Sequence, residues 1–177
     1  MRTSARRLLA LYLAALFLTL PFLPEVVIFV TGRLGRGFVY VPLTLLLALC
    51  GLLPASMLLL PPRPKPPWPH LAYAGLAAGA LLTVKILASS PIGRIHLVEY
   101  ALLAILVLRA LPGPRGWAQY GAALVLSALV GIADEVVQHF LPNRVFDLYD
   151  IALNSAASAL GILAAAWWAW TARVRAA

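Results

Sequence analysis

Four of the six carboxylates in this 177-residue chain, Asp134, Glu135, Asp147 and Asp150, fall within seventeen positions, interleaved with Gln138, His139, Arg144 and Asn154. A second polar group, R-I-H-L-V-E, places Arg94, His96 and Glu99 close together upstream. An imidazole three residues from a carboxylate on a helix can exchange a proton with it, so His96 and Glu99 are candidates for general acid and base, with Asp134 or Glu135 as base, nucleophile or ligand. The same pair could supply two ligands of a divalent ion completed by Asp134 or Glu135, although one histidine among carboxylates suits an oxygen-preferring cation better than zinc. The sequence by itself assigns no metal and no cofactor. Arg94 and Arg144 each carry a guanidinium that could grip a phosphate through two parallel hydrogen bonds.

Plainer roles compete with each of these. Asp147 stands where a helix would begin and could cap its free amides. Asn154 could bond a neighbouring helix beside Ser158 and Gly161. His96 and Glu99 could simply tie two helices together, and Arg144 could snorkel to headgroups. Asp134 and Glu135 are adjacent and project about 100° apart on a helix. One of them is therefore expected to hold structure while the other faces a site.

The elements that must position these residues are strongly apolar. Hydrophobic residues make up 63% of the chain and charged residues 11%, with a mean hydropathy of +0.92. Apolar runs of about twenty residues recur, the length that crosses a bilayer core of ~30 Å. The fold class expected is all-α, a polytopic transmembrane helix bundle of about six spans. They run from about Leu8 to Val30, Phe38 to Leu60, His70 to Ser89, Ile95 to Leu111, Trp117 to Phe140 and Ile151 to Trp170. Pro21, Pro24, Pro42 and Pro54 fall inside the first two, which are expected to kink. P-P-R-P-K-P-P-W-P cannot continue a helix, so residues 1–60 form an N-terminal helix pair, 61–69 a stiff linker and 70–177 a four-helix region. Arg2, Arg6 and Arg7 precede the first apolar run as in a secretory signal, but no small-residue cleavage site follows, and the run reads as a retained helix. The single cysteine, Cys50, offers neither a disulfide nor a thiolate cluster within one chain.

Both termini are expected in the cytoplasm. That choice puts nine lysines and arginines inside (Arg2, Arg6, Arg7, Arg63, Lys65, Arg109, Arg115, Arg173 and Arg175) against four outside (Arg33, Arg36, Arg94 and Arg144). All six acids then lie at outer helix ends, in one layer with Arg94, His96, Gln138 and Asn154. The five tryptophans fall near the cytoplasmic boundary as anchors, and His70 reads as interfacial there. The net charge of +8 follows from the cytoplasmic arginines and suits an anionic lipid surface. No nucleic-acid module is present. Small residues on the last two spans, including Gly121, Gly131, Ser155, Ala159 and Gly161, permit close helix contacts within or between chains and leave a homo-oligomer open.

I-H-L-V-E-Y-A-L-L from Ile95, D-E-V-V-Q-H-F-L-P-N-R from Asp134, and D-L-Y-D with Asn154 and Gly161 together resemble the VanZ-like membrane proteins. The resemblance covers roughly Lys85 to Gly161. It implies a multi-pass protein of the bacterial plasma membrane, similar to a protein associated with resistance to the glycopeptide teicoplanin. The reading favoured is an extracytoplasmic polar pocket that binds or modifies a cell-envelope lipid headgroup or a lipid-linked wall precursor. Its ligand-binding residues are Arg94, His96, Glu99, Asp134, Glu135, Gln138, Arg144, Asp147, Asp150 and Asn154. One alternative is a membrane-embedded hydrolase or transferase acting on a headgroup, although no G-x-S-x-G or phosphatase signature occurs. Another is a proton-coupled lipid transporter, disfavoured because the polar residues collect at one side and no polar residue separates Glu99 from Arg109.

Overall fold

Pro21 breaks the N-terminal apolar run as its chemistry requires, since it has no amide donor and disfavours helix for the residue before it. Helix α1 (Arg2–Thr19) stops two residues earlier. Helix α2 (Leu23–Leu34) restarts with Pro24 in its first turn, where a missing donor costs nothing. The two axes are bent by 70°. Gly35 then closes α2 with φ +82°, a left-handed conformation that glycine adopts without steric cost.

The structure is a computed structural model and describes residues 2–42, 44–45, 70–72, 74–75, 78–79, 91–113, 116–142 and 144–176. The proline-rich linker at 61–69, Lys85, and most of the second and third expected spans lie outside the described residues. Three further helices complete the core: α3 (Pro91–Ala110), α4 (Trp117–His139) and α5 (Leu148–Ala176). All regular structure among the described residues is helical.

Helix α3 is the centre of the bundle. It packs most extensively against α5 and also against α1, α4 and α2. Its Leu97, Tyr100, Leu103, Ala104, Val107 and Leu108 meet Leu16 of α1, Ala123 of α4 and Leu153, Ala157 and Ile162 of α5 in one buried cluster. Two hydrogen bonds reinforce the helix contacts. The Tyr12 hydroxyl donates to the Glu99 carbonyl at 2.9 Å, and the Ser158 hydroxyl reaches the Tyr100 carbonyl at 3.4 Å. Gly161 lets α5 approach α3 closely, because a Cβ built there would overlap the carbonyl of Ala101.

Helix α4 shows how the chain treats its surroundings. Ala123, Ser127, Gly131, Asp134, Glu135 and Gln138 are buried, whereas Val125, Leu129, Ile132 and Val136 are exposed at 59%, 54%, 42% and 46%. Polar groups face in and aliphatic groups face out, the reverse of a helix on a water-soluble protein. Both α4 and residues Leu148–Arg173 of α5 are long and apolar enough to cross a membrane, and the bent pair α1–α2 has the composition of a third span. At ~1.5 Å per residue, the 23 residues of α4 reach about 35 Å. The protein is a helical membrane protein, and the chain bends by 70° at Pro21, where a kink was expected.

Candidate functional site

Because α3, α4 and α5 alternate in direction, the start of α3, the end of α4 and the start of α5 meet at one end of the bundle. Asp134 sits on the face of α4 toward α3, where its Oδ2 accepts a hydrogen bond from the Tyr100 hydroxyl at 2.7 Å. Glu135 turns toward the start of α5, and its Oε2 accepts the backbone N–H of Asp147 at 3.0 Å. On α3, Nδ1 of His96 lies 3.4 Å from Oε2 of Glu99, a close approach without hydrogen-bond alignment. One donor atom from each of His96, Asp134 and Glu135 falls within 4.8 Å of the other two.

These side chains are sealed from solvent. His96, Asp134, Glu135 and Asn154 are 0% exposed and Gln138 is 1% exposed. Yet both ring nitrogens of His96, Oδ1 of Asp134, Oε1 of Glu135, Nε2 of Gln138 and both amide atoms of Asn154 have no hydrogen-bond partner among the described residues. Folded chains rarely leave buried polar atoms unsatisfied, and each costs about 1–3 kcal/mol when they do. Seven such atoms from five residues lie at this one end of the bundle.

The remaining expected residues are distributed around this centre. Asp147 precedes α5 and its Oδ1 accepts the Tyr149 N–H at 2.8 Å, so it caps the helix, while its own N–H orients Glu135. Asp150 is half-buried in the first turn of α5. Arg144, half-buried, lines a cleft of about 240 Å³ with Pro21, Phe22, Glu25, Leu141 and Pro142, and its Nε and Nη2 have no partner among the described residues. Arg94 lies against Tyr40 and Thr44: its guanidinium stacks 4.1 Å from the Tyr40 ring centroid and donates to the Thr44 hydroxyl at 3.2 Å.

Three details differ from expectation. Asp134 and Glu135 both point inward, because α4 is wedged between α3 and α5 and its buried arc is wider than the angle separating two consecutive residues. Each acid serves a different neighbour with one oxygen and keeps the other toward the centre. The hydrogen bond expected from Asn154 to a neighbouring helix is made instead by Ser158, leaving the Asn154 amide buried against Gly131. His70 is buried against α5 and is not a free surface side chain: it accepts the Trp167 indole N–H at 2.8 Å and packs edge-on to Trp170, contacts its interfacial reading did not include. His139 stays exposed beside Phe140 and Phe146, apart from the cluster.

Tyr100 is the functional residue that sequence reasoning passes over. Its hydroxyl holds Asp134 from the core of α3, and the signal for it was its position four residues after His96 on the same helix face. The family model described as VanZ/LLP1 matches residues 71–169, more than half of the chain, and so takes in the whole of α3 and α4 and most of α5. No curated protein and no solved structure is a significant match.

Proposed function

The chain belongs to the VanZ/LLP1 family, and from that premise we propose that its inward-facing polar site receives the headgroup of a cell-envelope lipid or of a lipid-linked wall precursor. The observation that carries this reading is the group of buried polar atoms lacking partners among the described residues, set beside the cleft that Arg144 lines. Arg144 would grip a phosphate with its unpartnered donors, and Glu25 across the cleft would take a hydroxyl or amine of the same headgroup. His96, Glu99, Asp134, Gln138, Asp150 and Asn154 would set the pocket's shape and hydrogen bonding, with Arg94 holding Tyr40 and Thr44 at its edge. In a six-span topology with both termini inside, which the distribution of lysine and arginine favours, this end of the bundle would face outward from the bacterial plasma membrane. An effect on teicoplanin susceptibility would follow from sequestering or altering the wall precursor that such an antibiotic meets.

Binding of phosphatidylglycerol, phosphatidylethanolamine and a short-chain polyprenyl phosphate to the detergent-solubilised protein tests the reading. Arg144→Ala is expected to weaken binding of at least one of them by roughly tenfold to a hundredfold, the scale of one charge-assisted hydrogen bond of ~1.5–3 kcal/mol. Arg33→Ala, on the exposed last turn of α2, is expected to leave binding unchanged. Equal affinities in wild type and Arg144→Ala for all three lipids contradict it.

The approach of His96 to Glu99 supports a second reading, headgroup hydrolysis or transfer with this pair moving the proton. Release of a water-soluble headgroup product, lost in Glu99→Gln with binding retained, would place that reading first.

A further inference from the structure

Asp134 and Glu135 are two adjacent carboxylates, both 0% exposed, and no lysine or arginine among the described residues is ion-paired with either. Burying two acids side by side is costly unless a positive charge meets them. The imidazole of His96 is also fully buried with both ring nitrogens unpartnered, and one ligand atom from each of the three residues lies within 4.8 Å of the other two. We infer that His96, Asp134 and Glu135 form a binding site for a divalent metal ion of the manganese-to-zinc series.

The atoms divide as a metal centre requires. Asp134 uses Oδ2 for Tyr100 and keeps Oδ1; Glu135 uses Oε2 for the Asp147 N–H and keeps Oε1. His96 turns Nδ1 toward Glu99 and keeps Nε2. Both carboxylates thus have an outer partner that fixes their orientation, the pattern by which proteins aim metal ligands, and the Glu99 carboxylate lies 3.4 Å from the imidazole. One imidazole nitrogen and two carboxylate oxygens, with no thiolate, suit Mn²⁺ or Zn²⁺. Three protein ligands leave coordination positions for water or for an oxygen of a bound molecule. The unpartnered Nε2 of Gln138, one turn beyond Asp134 on α4, and the unpartnered amide of Asn154 on α5 are candidates to hydrogen-bond such a group.

The site goes beyond the headgroup reading and can be tested with the metal alone. Full-length protein carrying a tag that binds no metal would be purified in detergent, stripped with EDTA and titrated with Mn²⁺, following the loss of the free-ion electron paramagnetic resonance signal, and then with competing Zn²⁺. The expected result is one ion per chain, with affinity reduced at least tenfold in Glu135→Gln and Asp134→Asn, and unchanged in Arg33→Ala on the exposed last turn of α2. Wild-type protein that takes up less than a tenth of an equivalent at millimolar Mn²⁺ and Zn²⁺ overturns the inference, and so does equal uptake by folded Glu135→Gln. If the substituted chains fail to fold, the wild-type titration decides. Because no lipid enters the assay, its failure leaves the headgroup reading standing, and the failure of lipid binding leaves the metal site standing.

Discussion

Tyr100 shows at the scale of one residue how the site is held. Its ring belongs to the apolar core of α3 and its hydroxyl to the polar centre, where it is the hydrogen-bond donor to Asp134 Oδ2 at 2.7 Å. Tyr100→Phe keeps the ring and removes the donor, leaving a second buried Asp134 oxygen unsatisfied. The expected cost is about 1–3 kcal/mol, or a fall in Tm of roughly 2–10 °C for a chain of this size. An unchanged melting curve would mean that water or another donor replaces the hydroxyl. The cluster itself was legible from residue types, since charge inside an apolar chain is rare enough to mark a site. Tyr100 was harder to see because an aromatic ring in a hydrophobic run reads as core, and nothing in one-dimensional spacing reveals where its hydroxyl ends.

Helices turn these residues into a pocket, and their packing depends on backbones coming close. Gly161 is the tightest such point, with a built Cβ meeting the carbonyl carbon of Ala101 at 2.8 Å. Backbone cannot rotate out of the way as a side chain can, so Gly161→Ala must push α5 from α3. A destabilisation of about 1–3 kcal/mol is expected, the usual penalty for overpacking. Gly121→Ala in α4 is the comparison, since nothing lies within 4 Å of its Cβ position, and with the better helix propensity of alanine, about 0.5–1 kcal/mol, it should unfold at or above the denaturant concentration of wild type. Unfolding in graded denaturant, followed by tryptophan fluorescence, separates the two. The break at Pro21 and the extent of α4 were readable, because proline chemistry and helical periodicity are local, whereas α5 (Leu148–Ala176) runs past both ends of the expected Ile151–Trp170 span. That both Asp134 and Glu135 turn inward was not, because the width of a buried arc is set by how many neighbours a helix has.

Across the whole molecule, aliphatic side chains form the outer surface of α1, α2 and α4, and the polar centre is enclosed at one end of the bundle. This arrangement suits lipid as the solvent, and the Arg144 cleft lies between the α1–α2 bend and the α4–α5 turn, where the proposed headgroup reading has its ligand approach. Hydropathy made the membrane setting plain from composition. The adjacency of the Pro21 bend to the α4–α5 turn was hidden, since more than a hundred residues separate them in the chain and no pattern pairs them. Photocrosslinking with an anionic phospholipid bearing a headgroup diazirine, followed by peptide mapping, tests the headgroup site most directly. The account predicts that label concentrates on residues 21–25 and 141–150 and is lost from both in Arg144→Ala. Label spread evenly over the lipid-facing surfaces of α1 and α4, and indifferent to that substitution, would contradict it.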